Sequence, residues 1–353
     1  MEAKFKKGNV EIYNIFMLFL VLFFVTACSD EKERPMPPKF DGEVTALYLA
    51  GTSTAKLVNL GMTSEDGNLY TYEGVLNTGE LYFQTEKGND TNVLKRGENE
   101  NSILLDGSYP FSITDKGIYK LEVNVENRSI KMSSTKLGDV LYMVGPPVDT
   151  WEGVRGGVLA CSDSDPFVFT YTHFFFAGLY KFLLQTDNLL AKFVPDKDSK
   201  APKFFATEED LIAAGYEAEN WNLEAQGDYT ITVDLAQNKV NISPVTFYPE
   251  HVDSVFIIGN KYGWDMNKGA TPLEKVVAQD GVFRITDDFE AGEFKFLLQR
   301  HCFRPAIVKV SETEMVYIPV PTDEQDKKWN ITVPGNYTIT LNVKKNSIQI
   351  VKN

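Results

Sequence analysis

The sequence predicts an all-β chain: three tandem β-sandwich domains of Ig-like type behind an N-terminal signal peptide. Three observations predict it. One ordered set of strand motifs occurs three times along the 353 residues. Each motif shows the period-two alternation of a strand with one buried face. Only one short stretch carries a strong helical signal, so the cores have to be built from sheets.

The chain opens with Lys4, Lys6 and Lys7, followed by an apolar run over 15–25. A charged head and a run shorter than the ~20 residues needed to cross a bilayer make 1–27 a signal peptide rather than a permanent span. The run closes on Val25-Thr26-Ala27-Cys28, which resembles the lipobox of exported lipoproteins. Cys28 is therefore expected to become the acylated first residue of the mature protein. Several acyl chains on that residue anchor it permanently where one alone holds only marginally. Ser29, Asp30, Glu31, Lys32 and Glu33 follow, an acidic cluster that fits either a surface-export signal or a solvated spacer. Pro35, Pro37 and Pro38 stiffen the rest of a tether over 28–43.

Charge and cysteine count exclude some classes. Lys and Arg number 35 against 49 Asp and Glu, a net charge of −14, and cleavage after Ala27 removes three lysines against two glutamates. A mature chain more acidic still is not expected to bind nucleic acid. Cys161 and Cys302 fall in different repeats, so no disulfide framework is implied and stability has to come from hydrophobic cores.

The repeats are assigned to 44–135, 139–244 and 253–353. Each begins with an apolar strand ending in glycine: Leu47-Tyr48-Leu49-Ala50-Gly51, Leu141-Tyr142-Met143-Val144-Gly145 and Phe256-Ile257-Ile258-Gly259. A second glycine then leads an alternating strand, at Gly79-Glu80-Leu81-Tyr82, Gly178-Leu179-Tyr180-Lys181 and Gly292-Glu293-Phe294-Lys295. A third, at Gly117, Gly227 and Gly335, enters a closing hairpin whose turn is expected at Asn127, Asn238 and Asn346, because Asn tolerates the left-handed conformation. Three ordered features at the period of a small sandwich point to duplication. The linkers, at Thr135 to Asp139 and Pro244 to Asp253, are short, so neighbouring domains should touch. The helical stretch is Thr207-Glu208-Glu209-Asp210 running into Leu211 and stopping at Gly215: a Thr cap, an acidic first turn and a Gly stop.

No catalytic constellation is present. His173, His251 and His301 stand in dissimilar contexts without metal-ligand spacing, and are read as structural or surface residues. Carboxylate pairs such as Asp287 with Asp288 are abundant in so acidic a chain, so spacing singles out none for glycosidase chemistry; this pair is read as a turn cap. No cofactor or metal is implied, and the chain is not expected to be an enzyme. Trp264 is more informative, because it lies in the polar, glycine-bounded loop Gly259-Asn260-Lys261-Tyr262-Gly263-Trp264-Asp265. An indole in such a loop is a platform for sugar C–H faces or a partly covered core residue. Trp151 occupies the equivalent place in the second repeat, whereas the first has no aromatic there. Trp221 and Trp329 precede the closing hairpins and are read as packing residues.

The lipobox with its acidic follow-on, the strand-Gly-loop-Trp element, Gly-Glu-Phe-Lys-Phe-Leu-Leu-Gln and Gly-Asn-Tyr-Thr-Ile-Thr together resemble the SusE/SusF family of outer-membrane starch-binding lipoproteins. The likeness covers nearly the whole mature chain and is best in the third repeat. It implies surface-displayed, non-catalytic modules that hold starch or a similar polysaccharide for a TonB-dependent transporter and its partner glycan-binding lipoprotein. The family's sites pair an aromatic after the first strand with another beyond the Lys-Phe strand, and place a basic or amide side chain between them. Carried over, these fall on Trp264, Phe303 and Arg300 or Lys295 in the third repeat. In the second they fall on Trp151, Phe193 and Lys181 or Gln185. Phe303 stands where the family carries Trp or Tyr, and Phe donates no hydrogen bond. The first repeat offers only Tyr82 and Lys95 and is assigned no site. The competing reading is a surface scaffold or adhesion lipoprotein that uses Trp151 and Trp264 as anchors for protein partners.

Overall fold

The computed structural model describes residues 44–58, 60–186 and 191–353. The signal peptide, Cys28 and the tether lie outside the described residues. Residues Ala46–Asn353 form one compact unit. Its strands fall into three groups that follow one another along the chain, all with antiparallel pairing, and the all-β expectation holds.

One layer of each group is the closing hairpin with an added strand. Leu69–Leu76 lies beside Gly117–Asn124 and Ser129–Lys136 in the first group. Val168–Phe175 lies beside Gly227–Asp234 and Lys239–Pro244 in the second, and Val282–Phe289 beside Gly335–Asn342 and Ser347–Lys352 in the third. The register repeats as well: Leu76, Phe175 and Phe289 sit opposite Gly117, Gly227 and Gly335. The other layer centres on the glycine-led strands Gly79–Gln84, Gly178–Leu183 and Gly292–Leu297. The first strand of each group lies along one side, and Val93–Arg96, Lys192–Pro195 or Ala306–Lys309 along the other.

Close approach explains the glycines that end the first strands. A Cβ on Gly51, Gly145 or Gly259 would lie 2.3, 2.1 or 2.4 Å from the carbonyl oxygen of Glu80, Leu179 or Glu293. Only glycine lets the chain turn there, and that turn launches the loops bearing Trp151 and Trp264.

The second group departs from its neighbours. Gly157–Cys161 pairs with both Val140–Val144 and Val168–Phe175, so its layers join into one 9-stranded sheet. The short helix forms as expected over Glu208–Ala213, with Thr207 Oγ1 accepting from the Asp210 amide at 3.1 Å. It buries Leu211 against Val194, Phe205 and Tyr216. The turns need one correction. Asn238 and Asn346 adopt φ of 54° and 51°, but in the first group Arg128, at φ 56°, takes the left-handed place. Asn127 stands one position early in that turn and accepts a hydrogen bond from Ser129 instead.

Trp221 and Trp329 are buried and stack on Tyr180 and Phe294 at centroid distances of 5.9 and 6.1 Å. Neighbouring groups do touch. Val75, Ile118 and Leu137 share a core with Phe167, Phe193 and Leu235, and His173 Nε2 donates to the Leu298 carbonyl of the third group at 3.1 Å.

Candidate functional site

In the third group, strand alternation sends Phe294 and Phe296 into the core with Trp329, while Lys295 and Leu297 face outward. Leu297 joins Ile258, Ala270, Ala306 and Val308 in a small outer cluster, against which Trp264 packs. The Trp264 loop is closed by a bridge between Gly259 and Gly263. Its indole N–H donates to Asn260 Oδ1 at 3.3 Å.

Four further groups complete this face. Lys295 Nζ donates to Asp326 Oδ1 at 2.8 Å and lies 5.2 Å from the centroid of Phe303. Lys328 Nζ lies 3.5 Å from the other Asp326 oxygen and 6.0 Å from the centroid of Trp264. Two aromatic rings, each under a lysine, are thus joined through one carboxylate. Trp264 and Phe303 stand 39 positions apart in sequence yet belong to one patch. Phe303 is 39% exposed and Trp264 is half-buried, so each offers a face to solvent.

The structure redistributes the polar roles expected here. Lys295 is only 3% exposed and already paired, so it holds Asp326 and Phe303 in place rather than reaching a ligand. Lys328, with 28% of its side chain exposed, is the accessible cation. Asp326 and Lys328 were not legible from the sequence, because nothing about their spacing ties them to Lys295. Arg300 is exposed and lines a separate cleft with His301.

In the second group, a bridge between Gly145 and Thr150 closes the loop before Trp151, as Gly259 and Gly263 close the loop before Trp264. Trp151 is 43% exposed, and Lys181 Nζ lies 5.5 Å from its centroid. Burial, and after it the nearby Lys192 ammonium, holds Lys181 below its ordinary value, while Glu208 pulls the other way. Gln185 is exposed. Phe193 requires a correction: it is 3% exposed and packs in the core beside Phe204. The reason is register, since Phe193 pairs with Phe182 just as Ile307 pairs with Phe296 and Leu94 with Phe83. It is thus the counterpart of a core aliphatic, not of Phe303. Phe303 lies three residues before its strand, and that count gives Leu189 in the second group, outside the described residues. Counting back from Trp221 as Asp326 stands from Trp329 gives Ala218, so no carboxylate occupies that place. Lys192 pairs instead with Glu208 of the helix.

In the first group Tyr82 takes the position of Lys295, and Asp90 that of Phe303. Asp90 accepts from Tyr82 Oη at 3.0 Å and Gln84 Nε2 at 2.8 Å, and Lys95 lies 5.9 Å from the Tyr82 centroid. The patch is polar and lacks the paired aromatics.

Among the described residues no group of three or more His, Cys, Asp or Glu side chains is placed to hold a metal ion. Asp287 and Asp288 do not cap a turn but lie in the strand Val282–Phe289. Asp287 is tied to Lys261 and to Tyr262 Oη at 3.0 Å, and Asp288 accepts from Asn336 at 2.8 Å. Among the described residues Cys161 and Cys302 are free, and burial pushes the Cys302 thiol up to about 12.

No family model matches the chain, and no curated protein matches it. Among solved structures, the crystal structure of SusF from Bacteroides thetaiotaomicron is similar at 18% identity, covering 90% of this chain and 73% of that one, with a TM-score of 0.24. At that score the two chains do not superimpose as wholes.

Proposed function

We propose that the chain is a non-catalytic polysaccharide-binding lipoprotein, anchored to the outer membrane through Cys28 and displayed at the cell surface as part of a glycan-uptake system. The observation that carries this reading is the convergence of Trp264 and Phe303, each under a lysine, on the single carboxylate of Asp326. Flat aromatic faces suit sugar C–H surfaces, and a carboxylate and an ammonium beside them suit sugar hydroxyls. Trp151 with Lys181 supplies a second, smaller platform. On this reading the repeats 139–244 and 253–353 are the binding modules. A TonB-dependent transporter and its partner lipoprotein receive the held starch-like glycan. Single open sites of this kind bind weakly, and two on one tethered chain retain a polymer through effective concentration.

Affinity electrophoresis of the mature soluble chain through gels of starch, pullulan, dextran, mannan, xylan or pectin tests the reading. Retardation in at least one gel is expected. Trp264→Ala should weaken it about tenfold, or ~1.4 kcal/mol, as loss of a central aromatic anchor does, and Trp151→Ala should weaken it less. Unchanged mobility in every gel would replace the proposal with the protein-binding scaffold.

A further inference from the structure

A cleft of about 570 Å³ opens between the second and third strand groups, within the ~300–1,000 Å³ range of small-molecule sites. All three histidines of the chain border it, together with Arg155 and Arg300. In a chain where acidic residues outnumber basic ones by 49 to 35, this cleft has one carboxylate in its lining, Asp253, which is paired with Lys275 at 3.3 Å. The local charge is therefore opposite to that of the whole molecule.

Part of the lining is fixed scaffold. Arg155 Nη2 donates to the His301 carbonyl at 3.2 Å, and its Nη1 lies 3.7 Å from Glu152. His173 is tied to Leu298 and Gln299. His301 Nδ1 donates to the Met266 carbonyl at 2.9 Å, which leaves Nε2 as its outward nitrogen. The side chains of Arg300 and His251 make no hydrogen bond or ion pair among the described residues, and both line the cleft. Arg155 stands four residues after Trp151, and Arg300 three before Phe303, so each arginine of the lining is close in sequence to one aromatic platform.

We propose that this cleft binds an acidic sugar unit. The carboxylate of a uronate is held by the planar fork of Arg300, with His251 and His301 beside it, within a glycan that the aromatic platforms also engage. The inference rests on the glycan reading and adds the chemical class of one unit of the ligand.

The test runs the mature chain and an Arg300→Gln/His251→Gln variant through gels of polygalacturonate, starch and dextran sulfate. The wild type should be retarded by polygalacturonate, less so as salt rises from about 50 to 500 mM. The variant should lose roughly tenfold in apparent affinity for polygalacturonate and keep the wild-type mobility in starch. Equal retardation of both proteins by polygalacturonate, or its absence beside retention by starch, would overturn the cleft assignment and leave the glycan reading standing. Retention by dextran sulfate as strong as by polygalacturonate would reduce the cleft to a general anion trap and overturn the uronate assignment. No retention in any of these gels would overturn the uronate assignment, and the glycan reading would then rest on the pullulan, dextran, mannan and xylan gels.

Discussion

Asp326→Ala is expected to destabilise the third strand group by about 3 kcal/mol, the usual consequence of stranding a buried cation. Lys295 is fixed in its strand opposite Ile258, and only 4% of its side chain is exposed, so it cannot swing into water when its partner is removed. The Phe303 ring at 5.2 Å offers a quadrupole but no negative charge, and Lys328, the other ion partner of Asp326, adds like charge. Hydrogen exchange in the strands Gly292–Leu297 and Ala306–Lys309 reads the effect locally. The double variant Lys295→Met/Asp326→Ala separates fold from function. It removes the buried ammonium together with its half-buried partner, so most of the stability should return, yet glycan retention should stay low because Asp326 is gone and Phe303 has lost its support. Wild-type exchange rates in Asp326→Ala would mean that Lys295 is solvated in the native protein, and the patch would then lose its organising ion pair.

The repeat was legible because its signals are local. Glycines at fixed offsets, alternation such as Phe294-Lys295-Phe296 and the Thr207 cap each depend on backbone geometry within a few residues, and each stands where the sequence placed it. Trp151 and Trp264 were legible for the same reason, since a glycine forced by a neighbouring carbonyl launches both loops. What escaped was register and long-range pairing. Phe193 reads like a shifted aromatic until its pairing with Phe182 places it in the core. Asp326 and Lys328 look like two more charges in a charged segment, and only the folding of that segment over the outer face brings them to Lys295. The junction of the second and third groups was invisible for a related reason. His173, His251 and His301 share no local context, and only docking of the two groups gathers them around one cleft.

That junction should also respond to acid. His173 is buried in the join, stacked on Tyr171 at 5.3 Å and packed against the tilted ring of Phe247 at 4.5 Å. Its Nε2–H donates to the Leu298 carbonyl, while Nδ1 lies 2.9 Å from the Phe174 carbonyl and 3.2 Å from Gln299 Nε2, so the neutral ring, with one N–H, serves one of the two carbonyls. Burial holds the imidazole below its ordinary value of 6.5, against the opposing pull of the Phe174 and Leu298 carbonyls and the charge of Asp228. Tyr171, Arg155, Arg300, His251, His301 and Asp253 are the other charged or titratable groups around the cleft. The sign follows from proton counting. Above pH 6.5 the ring is neutral in both states, and its contribution to stability is complete. As pH falls below that value the unfolded chain takes up a proton that the native site resists, so stability declines toward the lowered native value, by at most about 1.4 kcal/mol per pH unit for one group. His173→Ala should cost about 2–4 kcal/mol at neutral pH, through lost packing and the Leu298 carbonyl left without its donor. It should also remove this group's share of the acid sensitivity. Hydrogen exchange across 298–305, followed from pH 7.5 to about 5 in both proteins, distinguishes the outcomes. A steeper acid response in wild type than in the variant is expected, because the variant has already lost the titrating ring. Parallel pH profiles would show that His173 packs in the join without linking its stability to protons.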